Sequence, residues 1–242
     1  MDRLEGGGVV IAEYGWTGRV MAWLRVVSAL IVVNLLFVAG TLVGLVVLGA
    51  APAALAATAC LTRLRDGVET GLVREFAAVY RAQFWRANLI GLPFALVAVL
   101  LAADTMVLPA LDGLAAAALA GFTWVAGAAA LLVFACALTV AVRYDEIVGA
   151  VLRYSVVLPF LSPVMSLAML VTLGVVGVAL TLLPMLVPLV GFAVVLFVAG
   201  WFVDHRLAAL DPEHPRAGDR HAADASAAID PDTTPAGAPA VR

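Results

Sequence analysis

The chain contains no lysine, and charged residues of every kind make up only 13% of its 242 positions. Soluble domains carry about a quarter charged residues. This scarcity, beside 64% apolar residues and a mean hydropathy of +1.08, excludes an ordinary water-exposed fold and places the chain in a bilayer. The missing lysine by itself carries no mechanism: basic residues that are all arginine, with abundant Ala, Val and Leu, have the composition of GC-rich codons. Only two cysteines occur, Cys60 and Cys136, without a CxxC and with no histidine nearby, so neither a disulfide framework nor a metal site is expected. Histidine is nearly as rare, and His205, His214 and His221 lie at or beyond the last apolar run. No HExxH, GxSxG, phosphate-binding loop or pair of carboxylates within an apolar run is present. An enzyme needs nucleophile, base or metal within reach of one another. Catalysis is therefore not expected, nor is a cofactor.

What is present is long apolar runs. The 37 residues between Arg25 and Arg63 hold no ionisable side chain except Cys60. As one helix they would extend about 55 Å, against a hydrocarbon core of about 30 Å. A hairpin uses them, turning near GTLVGLVVLGAAP, where Gly40, Gly44, Gly49 and Pro52 supply breaking and close-packing residues. The returning leg has an alanine face, Ala50, Ala53, Ala54 and Ala57, that lets another helix approach closely. Whether this leg crosses fully or is re-entrant stays open. The apolar run exceeds the roughly 7–15 residues of a signal-peptide core, and Asp2, Glu5 and Glu13 interrupt its lead, so a retained span is expected.

The 50 residues from Tyr154 to Val203 likewise carry no charge and need two spans, turning near Pro184 and Pro188. A third pair lies between, linked around Pro109, Asp112 and Gly113. The spacing thus predicts an all-α polytopic bundle of six spans in three hairpins, at about 22–41, 45–63, 88–108, 114–142, 154–180 and 186–204. Residues 1–20 form an N-terminal cytoplasmic segment, and the Asp-, Pro- and Ala-rich residues 206–242 a disordered tail. This count puts every arginine on one side of the membrane, as enrichment of cytoplasmic loops in basic residues requires, and both termini become cytoplasmic. Phe76, Tyr80 and Phe84 recur every four residues among Arg74, Arg81 and Arg86, which predicts an interfacial helix over about 72–87 lying on the inner leaflet. Trp16, Trp23, Trp85 and Trp201 fall near span ends, as aromatic belts do. Aromatics and arginines so placed read as membrane anchors, and no nucleic-acid partner is expected.

LGAAPAALAATACLTRLRDG, then FAAVYRAQFWRANLIG, then Asp104 together resemble the YesL-like family of bacterial integral membrane proteins, a domain-of-unknown-function family. The matching positions are Pro52, Ala53, Ala54, Arg63, Phe76, Tyr80, Phe84, Ala87, Asn88 and Asp104, and Asn34 also fits. The resemblance runs from Tyr14 to Asp104, is compatible through His205 and is absent in the tail. It departs at Ala51, where the pattern has glycine. It implies a bacterial plasma-membrane protein associated with carbohydrate uptake through binding-protein-dependent importers, with an importer permease or ATPase as the implied partner. It implies no reaction.

The candidate functional positions are Asn34, Pro52, Arg63, Phe84, Arg86, Asn88 and Asp104. An amide unpaired in hydrocarbon costs a few kcal/mol, so Asn34 is expected to bond another helix. Arg63 and Arg86 are placed to contact lipid phosphates, and Asn88 to cap or orient the third span. Asp104 is the one acid inside a span; near Pro109 it reads first as interfacial or capping, second as part of a path. Asp204 beside Arg206, and Asp145 beside Arg143, read as interfacial ion pairs. Pro159 and Pro163 are expected to kink the fifth span. The functional expectation is a non-catalytic accessory component for solute uptake. The alternative is an autonomous carrier with Asp104 and Asn34 along its path.

Overall fold

The computed structural model describes residues 16–67, 71–144 and 146–210. They form eight α-helices and no strand: α1 (Trp16–Val43), α2 (Val47–Arg65), α3 (Leu72–Ala82), α4 (Phe84–Val107), α5 (Gly113–Arg143), α6 (Val148–Leu161), α7 (Pro163–Leu182) and α8 (Phe192–Leu210). A 3-10 turn (Leu108–Ala110) follows α4, and a π-helical turn (Val187–Gly191) precedes α8. Among the described residues six segments are long and apolar enough to cross a membrane: Trp23–Val43, Val47–Arg65, Phe84–Ala110, Gly113–Arg143, Pro163–Leu182 and Val187–Leu207. The protein is an all-α polytopic helical bundle.

The first reversal falls at Gly44–Val46 and not at Pro52, which lies inside α2 and is fully buried. Leu45 and Val46 take φ of 59° and 64°. A β-branched valine in the left-handed region is strained. It is held there by Val46 N–H donating to the Thr41 carbonyl at 2.8 Å. At Gly44 the helices pass so closely that a Cβ would run into the Cα of Gly49.

The alanines of α2 make it the centre of the bundle. Ala53, Ala56 and Ala57 are fully buried, and α2 touches α1, α3, α4, α5 and α8. Small side chains permit this, since each added methylene would hold a neighbour away. Ala51 meets Gly91, where an added Cβ would lie 2.5 Å from the Ala51 Cβ. A second cluster gathers Cys136 and Leu138 of α5, Val151 of α6, Met169 of α7 and Val203 of α8.

Three boundaries differ from the sequence expectation. The segment expected as one span over 154–180 is divided at Ser162 (φ −147°, ψ 69°) into α6 and α7. Pro163 drives the residue before it out of helical geometry and donates no N–H, so it opens α7 instead of kinking a continuous helix. At 14 residues α6 reaches about 21 Å, short of a span. The helix expected over 72–87 ends at Ala82, and Phe84 already belongs to α4. Its aromatic stripe faces protein instead of lipid: Phe76 is buried against Gly40, and Tyr80 donates to the Gly40 carbonyl at 2.9 Å. Burial raises the Tyr80 pKa. Finally, α8 continues to Leu210, five residues into the expected tail; the remainder of that tail, and residues 1–15, lie outside the described residues.

Candidate functional site

The polar side chains gather at two places. One is the end of the bundle formed by the start of α4 and the ends of α5 and α8. Arg86 donates to the carbonyls of Ala141, in the last turn of α5, and of Tyr144 and Glu146 in the link that follows, at 3.3, 3.3 and 2.8 Å. Arg143 pairs with Asp204 at 2.7 Å, their side chains 13% and 12% exposed. This corrects the expected pairing of Asp204 with Arg206. Side chains two apart on a helix do not face each other, whereas α5 and α8 end side by side. Asp145 lies outside the described residues. Arg65 reaches from the end of α2 to the Phe197 carbonyl (3.4 Å), its guanidinium 5.8 Å from the Phe197 ring centroid. Gly200 makes room for it: a Cβ there would lie 2.8 Å from the Arg65 Nη1.

The second place is the middle of α1. Asn34 is fully buried and uses both ends of its amide. Its Nδ2 donates to the Pro188 carbonyl at 2.6 Å, and its Oδ1 accepts from the Ala193 N–H at 3.0 Å. The π-helical turn shifts the hydrogen-bond register ahead of α8. Asn34 bonds two of the backbone groups there and fastens α1 to α8. Asn34→Leu is expected to leave both unsatisfied and to lower stability by about 2–4 kcal/mol. Reversible unfolding in detergent measures this; a loss below about 0.5 kcal/mol would contradict it.

The remaining candidates stand apart. Arg63 pairs with Glu75 of α3 at 2.5 Å, but at 42% and 31% side-chain exposure this contact contributes about 0–1 kcal/mol. Asp104 lies 3.3 Å from the Thr123 hydroxyl of α5, which has a closer acceptor in the Leu119 carbonyl of its own helix at 2.9 Å. Asn88 donates to the Phe84 carbonyl of its own helix at 2.9 Å. Phe84 packs edge-on to Tyr80 and Trp85, with centroids 5.7 and 5.6 Å away. Asn34 and Asp104 do not come together. The residues that complete these contacts, Glu75, Thr123, Gly91 and Gly200, went unrecognised in the sequence. Only Glu75 carried a signal, as the sole acid among the arginines of its segment.

Between α4, α5, the start of α2 and α8 lies a cavity of about 520 Å³, with Ala51 and Gly91 among its lining residues. Its wall is apolar, with Ala95, Ala98, Gly127 and Phe134 among the lining residues and Asn88 as the one amide. Among the described residues no cluster of His, Cys, Asp and Glu could hold a metal.

No curated protein and no solved structure matches the chain. Residues 30–105, the stretch from the middle of α1 through Asp104, match the model of a family described as a protein of unknown function, DUF624.

Proposed function

We propose that the chain acts without catalysis as an accessory or partner-binding membrane component in solute uptake, with carbohydrate as the solute class. The family match over 30–105 covers the stretch on which the YesL-like resemblance rests, and the carbohydrate assignment comes from that resemblance. The observation that carries the reading is the use made of the polar groups. A carrier for sugars must offer partners to several hydroxyls, because each one desolvated without a hydrogen bond is costly. Here both ends of the Asn34 amide are engaged by α8 and its preceding turn, and the lining of the large cavity is apolar but for Asn88. By contrast α4 beyond Gly91, and most of α7, turn apolar side chains outward, among them Leu92, Leu96, Val171 and Val175. In a bilayer such faces meet lipid or the helices of another membrane protein. Arg65, Arg86, Arg143 and Arg206 lie near the ends of α2, α4, α5 and α8, which supports placing those ends at the cytoplasmic face of a bacterial plasma membrane.

Affinity purification of tagged chain from native membranes, quantified against an untagged control, tests the proposal. Stoichiometric recovery of an importer permease or ATPase is the expected result, with solute flux unchanged in Asp104→Asn. Recovery of the chain alone, together with flux abolished by Asp104→Asn in a protein that remains folded, would overturn it in favour of a carrier.

A further inference from the structure

Close-packed protein interiors hold few voids larger than a water molecule. The cavity beside α4 measures about 520 Å³. An empty apolar space costs stability in proportion to its volume unless its walls collapse into it. These walls are held apart by contacts they already make. A Cβ on Gly91 would lie 2.5 Å from the Ala51 Cβ, so α2 and α4 touch there, and a Cβ on Gly127 would meet Leu101 at 3.6 Å, which puts α5 against α4. Two aromatic pairs, Phe37 with Phe192 and Phe94 with Phe134, their centroids 4.9 and 5.0 Å apart, belong to the same lining. A space of this size that cannot close is a space to be filled.

Chemistry and size together select the occupant. Water in a cavity needs two to four polar partners, and each sugar hydroxyl needs at least one. Asn88 is the one polar side chain of the lining, and its Nδ2 already donates to the Phe84 carbonyl at 2.9 Å. The lining residues of α4 run from Asn88 to Leu101, about 20 Å of helix. A helix from another protein, 10–12 Å across with its side chains, would need about 1,600 Å³ over that length, far more than is present. An extended peptide would carry unpaired N–H and C=O groups into the apolar wall. A hydrocarbon chain meets none of these objections, and the bilayer around the bundle supplies one: a single leaflet is about 15 Å deep, comparable to the length of the cavity. Leu92 belongs to the lining and is also 66% exposed, which puts an opening on the outward flank of α4.

We propose that this cavity binds one acyl chain of a membrane phospholipid, entered past Leu92, with the ester end of the chain at Asn88. Asn88 stands one turn inside the start of α4, near Arg86, and its amide has a second N–H to offer an ester carbonyl. The site does not rest on the uptake reading.

The test uses the full chain in vesicles of phosphatidylethanolamine and phosphatidylglycerol that contain a small fraction of phosphatidylethanolamine with a diazirine in one acyl chain. Irradiation attaches the chain to whatever it touches, and peptide mass spectrometry maps the adducts. In the parent, adducts are expected on Phe134 and Leu196, half-buried residues of the cavity wall, as well as on Val171 and Val175 of the outward face of α7. Gly127→Phe places a ring in the space that the chain would occupy, so adducts on Phe134 and Leu196 should fall at least about tenfold while those on α7 stay unchanged. Gly121→Phe, at a position with nothing within 4 Å, should keep the parent pattern. Adducts confined to outward-facing residues of the parent, or equal labelling of Phe134 and Leu196 in the parent and Gly127→Phe, would overturn the proposal. If Gly127→Phe fails to fold, Ala98→Phe fills the cavity from the α4 side and decides in its place.

Discussion

Gly44→Val is expected to yield no folded, monodisperse protein in detergent, whereas Gly121→Ala is expected to leave the melting temperature unchanged or slightly raised. The contrast follows from what each added Cβ would meet. At Gly44 it runs into the Gly49 Cα and comes within 2.7 Å of the Tyr80 hydroxyl oxygen. Two of the three close atoms belong to the backbone of α2, so no rotamer change relieves the clash. The hairpin has to open, which separates Ala53 and Ala57 from α1 and releases the Tyr80 contact with Gly40. Opening this centre places the cost among the exceptional point substitutions, beyond about 4–5 kcal/mol. At Gly121 nothing lies within 4 Å, and alanine is the better helix former by up to about 1 kcal/mol. Size-exclusion profiles and thermal melts of the two variants separate these outcomes. A Gly44→Val protein that melts with the parent would show that α1 and α2 do not pack as described.

The second large effect lies at the other end of α2's neighbours. Asp204→Ala should destabilise the chain by about 3–5 kcal/mol, because it leaves the Arg143 guanidinium nearly buried without its carboxylate. Arg143→Ala should cost a similar amount for the mirror reason. Replacing both, as Arg143→Met with Asp204→Leu, removes two desolvated charges at once and should restore most of the loss. The double-mutant cycle supplies the measurement: a coupling of at least about 1.5 kcal/mol is expected. Additive single effects would mean that the pair acts as two independent surface charges.

The fold class and the number of long apolar helices were legible in the chain, for reasons that need no tertiary information. An uncharged run of known length has to be divided by the thickness of hydrocarbon, and every backbone group in lipid must be satisfied within a helix or closed barrel. The alanines between Ala53 and Ala57 likewise announced close packing, and Asn34 a bond to another helix, because an unpaired amide is costly in hydrocarbon wherever the neighbour lies.

Direction and partner are a different matter. Amphipathicity says that Phe76 and Tyr80 share a face, but not whether lipid or Gly40 covers it; α3 lies against α1 and α2, and the stripe is buried in protein. Apolar periodicity runs through Ser162 without a mark, so the division into α6 and α7 depended on backbone geometry set by Pro163. Neighbours in sequence suggested Asp204 with Arg206. Only the side-by-side ends of α5 and α8 brought Asp204 to Arg143, 61 positions away. By itself, then, the sequence determined that this is a helical membrane protein with small-residue contacts at its centre, because hydrophobic length and desolvation cost are properties of the chain. Which polar groups face one another was decided by tertiary structure alone, because that is a property of how helix ends meet.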